Sequence, residues 1–440
     1  MSNRTELPCA KGLLGLAIAG LAVLAVAPVS ATTSDDPAAI LVYPKVVVDT
    51  SGEWGPPSDT LLTITSNPTQ SAPKQAHCFH VNSTGNCANS ANEPCRTSAD
   101  CDNPVPCVPN WAETDFDIFI TPNQPLAWYA SEGLSRGEFP IEGPGLCYNP
   151  VSQTYLGPCF SQFQCGPGYV CQITKESGGL NNVGSLIPPV ANDPYIGSLT
   201  CVQFDPASNP PVPDTSATRN ALTGDASIIA LDSNTSKAVD VAKYNAVGFR
   251  RLPEGGNTDG ELFLGGPNAE YEGCGNVVIL DHFFDNATDP MSVAGEGSNS
   301  SNGVFTTELT LVPCGNDFTA IEPGDVVAQM LVFNEFEQRF STSARVDCLY
   351  NKRISNIDTP NSNRSIFSAG VAGTIAGQTR IQGAGGAETG NGLTGVAQLF
   401  VATDIGGTDP RCIGNTLCSS AAYSLNRVGG VPGGDTLTMP

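Results

Sequence analysis

The chain has 440 residues and a formal net charge of −23, yet only 14% of its residues are charged. Its acidity comes from scarce Lys and Arg (20 against 43 Asp and Glu) and not from acidic tracts, so no nucleic-acid partner is expected, because phosphates need a basic face. The length exceeds what one compact core usually spans, and 47 Gly and 35 Pro punctuate short β-branched runs without helical periodicity, which together point to an all-β chain of two domains.

The chain opens with Arg4 and Lys11 around a short polar start, followed by the small-apolar run Gly12 to Ala27 and then Val29-Ser30-Ala31. Residues 1–31 read as a secretory signal cleaved after Ala31. The run is short for a membrane span and lacks a strong positive flank after it. Cys9 precedes the run, so no lipid anchor is expected. No later apolar stretch is long enough to cross a membrane, so no transmembrane segment is expected after cleavage.

Domain 1 is expected over 38–250. It begins with "AAILVYPKVVVDTSG" (Ala38 to Gly52), and "DTLLTITSN" (Asp59 to Asn67) follows with the alternation of a half-buried strand. Next come "KQAHCFHVN" (Lys74 to Asn82), "DFDIFITPNQPLAWYASEG" (Asp115 to Gly133), "IGSLTCVQFD" (Ile196 to Asp205) and "NALTGDASIIALD" (Asn220 to Asp232). A linker is expected at 251–273 and domain 2 at 274–440.

One phrase occurs twice: "NALTGDASII" from Asn220 and "NGLTGVAQLF" from Asn391. Four further landmarks precede the second copy in the order found in the first domain. "MLVFNEF" ends a strand at Asn334 as "LLTITSN" does at Asn67. "ARVDCLYN" carries Cys348 as Cys78-Phe79-His80 carries its Cys. "SIFSAG" is set against "WYASEG", and "AGQTRIQG" against "GSLTCVQ". The phrase is therefore expected to be the same strand of a duplicated β-sandwich, with Thr-Gly marking a tight entry or bulge.

All but one of the 16 Cys follow the signal, as in disulfide-bonded exported chains. "PCRTSADCDNPVPC" and "PCFSQFQCGPGYVC" share Pro-Cys-x5-Cys-x5-Cys, each with one more Cys upstream. Two Cys-rich inserts are expected, 87–107 (Cys87, Cys95, Cys101, Cys107) and 147–171 (Cys147, Cys159, Cys165, Cys171). Each would hold two disulfides with three connectivities open. Disulfides are preferred to zinc, whose sites use closely spaced Cys pairs. Cys412 and Cys418 are expected to pair. Cys78, Cys201, Cys274, Cys314 and Cys348 are an odd number, so one is free or links two chains.

Strands such as "DTLLTITSN" and "GSLTCVQF", with inserts of the "CRTSADC" type, resemble large exported proteins of environmental Gram-negative bacteria whose domains are similar to immunoglobulin-like sandwiches. The resemblance covers most of the mature chain and implies two tandem immunoglobulin-like β-sandwiches in a surface or extracellular setting. It implies no chemistry.

Candidate chemistry is sparse. "GLSRG" (Gly133 to Gly137) fits a nucleophile elbow, but "EFPIEGPG" after it is no helix, and a triad would draw on His77, His80 or His282. Asp281, His282, Asp285 and Asp289 fall at a strand end and turn and are the candidate metal ligands, with calcium the candidate ion and no other cofactor expected. Turns are also rich in Asp for backbone reasons. Cys78 and His80 share a strand face, with a disulfide preferred for Cys78. Asp115 and Asp117 alternate as a solvent face or as paired glycosidase carboxylates. Trp54, Trp111 and Trp128 suit a core or a sugar platform. The expected function is a non-catalytic extracellular or cell-surface structural or adhesive protein. Its partners would be further copies, other surface proteins or glycans. A carbohydrate-binding protein and a secreted hydrolase are the alternatives. The strand Ile40 to Val48 would either complete its own sandwich or pair with a neighbour's sheet edge.

Overall fold

The computed structural model describes residues 36–439 except 55, 68–73, 91–92, 96–100, 102–104, 109–110, 121, 124, 135–144, 150–151, 153, 160–166, 168, 173–186, 205–219, 233–236, 254–258, 276, 287–303, 321–322, 386–389, 403–417 and 430–433. The expected signal lies outside the described residues. Ala31–Pro440 is one compact unit. It is all-β with several antiparallel sheets, and its one described α-helix is the four-residue turn Ala369–Ala372.

Nine strands make the first repeat: β1 (Ile40–Val48), β2 (Ser58–Ser66), β3 (Lys74–Asn82), β4 (Ala112–Ile120), β5 (Pro125–Tyr129), β6 (Tyr195–Phe204), β7 (Leu222–Leu231), β8 (Ala238–Asn245) and β9 (Val247–Phe249). Nine make the second: β10 (Val277–Phe283), β11 (Val304–Pro313), β12 (Asp325–Asn334), β13 (Arg339–Asp347), β14 (Tyr350–Arg353), β15 (Ala376–Ala384), β16 (Leu393–Ala402), β17 (Cys418–Ser424) and β18 (Asn426–Val428). In the first repeat the five-stranded sheet has the order β9-β1-β6-β3-β4 and the four-stranded sheet β8-β7-β2-β5. The second repeat gives β18-β10-β15-β12-β13 and β17-β16-β11-β14. Each strand of the first order plus nine gives the second, so the chain is a structural duplication.

Period-two burial builds both copies. Leu62 and Ile64 of β2 point inward with Ala226 and Ile228 of β7, against Tyr43, Cys78, Phe116 and Leu199 from the other sheet. The second core repeats this with Leu309, Leu311 and Ala397 against Val278, Leu280, Met330 and Ile381.

The recurring phrase begins corresponding strands, and its glycine has a steric cause. Gly224 pairs with Ile64 and Gly395 with Leu311. A Cβ on Gly224 would lie 2.6 Å from Thr63 O, and one on Gly395 would lie 2.2 Å from Thr310 O. Each glycine also accepts a hydrogen bond where the chain leaves one sheet for the other: Ala246 N–H to Gly224 O and Leu425 N–H to Gly395 O, both 2.9 Å. The match of "AGQTRIQG" to "GSLTCVQ" also falls on corresponding strands. Two landmarks shift by a strand. Asn334 pairs with Gly377 as Asn82 pairs with Gly197, so its counterpart is Asn82 and not Asn67. Cys348 follows β13, the counterpart of β4. The place of Cys78 is held by Met330, which faces Ile381 as Cys78 faces Cys201.

The described residues of the region expected as a linker, 251–253 and 259–273, are built into the fold. Glu261–Leu264 pairs antiparallel with Asp435–Thr438, which runs parallel to Asn316–Asp317. Leu262, Leu264, Tyr271 and Leu437 join Ile40, Phe79 and Phe249 of the first repeat and Val312 and Phe318 of the second in one apolar cluster. Phe79 and Phe318 stack at 4.1 Å. The cluster covers the outer face of the first repeat's five-stranded sheet.

Disulfides join Cys78–Cys201, Cys87–Cys101, Cys95–Cys107 and Cys274–Cys314. The first insert is thus bridged first to third and second to fourth. In the second insert Gly145–Asn149 pairs with Thr154–Cys159 and Val170–Gln172. Cys147 is disulfide-bonded. Cys165 and Cys412, and the side chains of Cys159, Cys171 and Cys418, lie outside the described residues. Cys348 is free and buried, its thiol pushed up to about 12 by burial, which leaves it unreactive in the folded chain. Among the described residues no helix is long and apolar enough to cross a membrane.

Candidate functional site

A groove of about 630 Å³ lies on the second repeat. It exists because β18 pairs with β10 only at Val277 to Ile279, after which Leu425 carries the chain to the other sheet. The remaining edge of β10 is met by side chains. Tyr423 donates its hydroxyl to Asp281 O, and Thr307 Oγ1 accepts from Phe283 N–H at 3.0 Å and donates to Phe283 O at 3.2 Å. Gln378 Nε2 donates to Asp281 Oδ1 at 2.9 Å. Phe283, Phe333, Tyr423, Asn334, Glu335 and Gln378 line the groove beside Asp281. It offers aromatic faces, amides and carboxylates, which suit apolar contact and hydrogen bonding.

The first repeat carries the same construction. Tyr244 hydroxyl donates to Lys45 O and accepts from Lys45 N–H at 3.3 Å, while Thr60 Oγ1 accepts from Val47 N–H at 2.9 Å and donates to Val47 O at 2.8 Å. Lys45 therefore stands where Asp281 stands. There the groove is covered: Glu308, Gln398 and Phe400 of the second repeat close over it, leaving about 100 Å³. Lys45 Nζ lies 2.5 Å from Glu308 Oε1 and 2.8 Å from Gln398 Oε1, and Lys45 is 2% exposed. Sequence reasoning did not single out this trio. The available signal was one Lys inside the apolar run "ILVYPKVVV", since a buried ammonium needs a partner.

The structure does not bring the three described candidate metal ligands, Asp281, His282 and Asp285, together. Asp281 is exposed at the groove, while His282 points into the core, with Nε2 at 2.9 Å from Thr379 Oγ1 and its ring edge-on to Phe284 and Phe367. Burial lowers the His282 imidazole to about 4. Asp285 is buried and paired with Arg353 and Ser355. Asp289 lies outside the described residues. The sulfurs of Cys87, Cys95 and Cys101 cluster closely enough for an ion, but all three are in disulfides and hold no thiolate for one.

The other candidates have structural surroundings. His80 lies in the core against Phe116, lowered to about 4 by burial. His77 Nδ1 is 2.7 Å from Asp117 Oδ1, and Asp115 is 3.7 Å from its other nitrogen, so one His sits between the two exposed carboxylates. Trp128 packs in the first core beside Phe116, Trp111 packs against the inter-repeat cluster, and Trp54 lines the closed groove. Gly133 and Leu134 of "GLSRG" are held by Tyr129 and Ile187, and 135–137 lie outside the described residues. β1 is an inner strand between β9 and β6 rather than a free end for a neighbouring sheet.

No family model matches the chain, and no curated protein matches it.

Proposed function

We propose that the protein is a non-catalytic extracellular or cell-surface structural or adhesive protein, exported through its leader and built of two tandem immunoglobulin-like β-sandwiches. The observation that carries this reading is the repeat–repeat junction. A buried Lys45–Glu308–Gln398 contact, a shared apolar cluster and a C-terminal strand returning to 261–264 make the two repeats a stiff unit. Such stiffness suits a load-bearing spacer, while the titratable groups singled out by sequence are largely spent on packing and ion pairs. The groove favours a second reading, carbohydrate binding, because Phe283, Phe333 and Tyr423 stand beside the amides of Asn334 and Gln378. Glycan-array binding of the exported chain tests both. A flat array supports the structural reading. Binding that disappears in Phe333→Ala would replace it with the carbohydrate reading.

A further inference from the structure

The two repeats dock through one face and one groove. The face is the outer side of the second repeat's four-stranded sheet, where Glu308, Gln398, Phe400, Ser420 and Ser424 point away from their own core. The groove is the one around Lys45 on the first repeat. Besides the Lys45 contacts, Ser420 hydroxyl donates to Asp240 and Ser424 hydroxyl to Asn245 O, and Val396 of the face enters the first repeat's core cluster.

Duplication means that each repeat owns both parts, so one face and one groove are left over. The left-over groove is the open one at Asp281. The left-over face is the outer side of the first repeat's four-stranded sheet. There Leu61 takes the place of Glu308, Ser227 that of Gln398, Ile229 that of Phe400 and Val241 that of Ser420, as the matching registers show. This face carries exposed apolar side chains beside half-buried ones: Val241 is 52% exposed, Val239 58% and Tyr129 41%, while Leu61 and Ile229 are half-buried. Exposed apolar faces of this kind on a folded chain mark interaction surfaces.

The charges are reversed between the two pairs. Inside the chain the groove carries the cation, Lys45, and the face carries the anion, Glu308. In the left-over pair the groove carries the anions Asp281 and Glu335. The face carries Lys243, 58% exposed and directly opposite Ser227, with Asp225 as its present partner at 3.0 Å. Reversal disfavours the wrong pairing of faces and grooves while keeping each correct pairing attractive.

Resting on the structural reading above, we propose that the partner of the open groove is a second copy of this chain. Its first repeat's outer sheet face, centred on Leu61, Ile229, Val241 and Lys243, seats over Asp281, Phe283, Phe333 and Tyr423. The contact between copies reproduces the contact between repeats. It joins two different surfaces, so it is heterologous and runs head to tail, generating an open filament or a ring according to the rotation at each step.

The test is sedimentation velocity of the exported full chain over a concentration series, with negative-stain imaging. Concentration-dependent head-to-tail oligomers are expected. Asp281→Lys and Lys243→Glu should each weaken association by roughly tenfold or more, and the two changes in one chain should restore it. Val241→Asp, at an exposed position that leaves the melting temperature unchanged, should abolish it. Oligomers indifferent to all three variants would overturn the proposal. A chain monomeric throughout with a flat glycan array overturns this interface and leaves the structural reading standing. A monomer that binds glycan through Phe333 overturns both.

Discussion

The two repeats share one topology and differ at the position beside the sheet-switching tyrosine. In the first repeat that position is Lys45, sealed beneath Glu308 and Gln398; in the second it is Asp281, open to solvent. The backbone construction is the same in both, a tyrosine hydroxyl and a threonine hydroxyl closing a strand edge. What lies over it therefore decides whether the same local structure is a buried joint or an accessible groove. The repeats differ again between the strands β3 and β6: the first is tied by Cys78–Cys201, where the second has Met330 facing Ile381.

The largest effect in this comparison is expected at the joint. Lys45→Ala leaves Glu308 without its cation in a nearly closed site, and should cost about 3–5 kcal/mol in chemical denaturation. Asp281→Ala at the exposed counterpart should change stability by less than about 0.5 kcal/mol. Similar losses at both positions would mean that the joint is not what distinguishes the repeats.

A smaller effect tests their equivalence. Gly224→Ala and Gly395→Ala each drive a methyl group onto the carbonyl of the neighbouring strand, at a cost of about 2–3 kcal/mol. Gly224 should be the more sensitive, because a Cβ there would also lie 1.9 Å from the Tyr43 hydroxyl, which donates to Thr63 O at 2.7 Å. Equal tolerance of alanine at both sites would break the steric account of the shared phrase.

The smallest effect is a pH slope. His80 is buried without a hydrogen-bond partner and lowered to about 4, below its unfolded value near 6.5. The unfolded chain therefore takes up the proton first, and stability is lost as pH falls from 6.5 towards 4. His80→Leu removes that loss and should recover about 1–2 kcal/mol at pH 5 relative to pH 7.5. Melting temperatures across pH 4.5–7.5 would show it, and an unchanged slope would sink the idea. His282→Leu addresses the matching burial in the second repeat, where the Thr379 contact is lost as well, so its gain should be smaller.

Much of the fold was legible because strand formation is local. Alternation in "DTLLTITSN" already set Leu62 and Ile64 inward, and Leu-Thr-Gly marked one strand in both copies, since a glycine pressed against a neighbouring carbonyl admits no other residue at low cost. The Cys spacing marked the first insert, though not which Cys joins which. The matches of Asn334 to Asn67 and of Cys348 to Cys78 failed because a strand's identity is set by the strands beside it, and residue type at a strand end carries little of that. The four candidate metal ligands looked like one cluster because they are close in sequence. Successive residues of a strand point to opposite faces, which sent Asp281 to the groove and His282 to the core.

By itself, then, the sequence determined the all-β character, the duplicated phrase and where the first Cys-rich insert falls, all of which depend on neighbours a few residues apart. The long-range packing alone set that Lys45 meets Glu308 across 263 positions, that 261–264 pairs with 435–438 instead of lying in a free linker, and that one of two like grooves is covered. Those outcomes depend on which surfaces are left to face each other once the sheets have formed, and the alternation within a single strand carries no record of that.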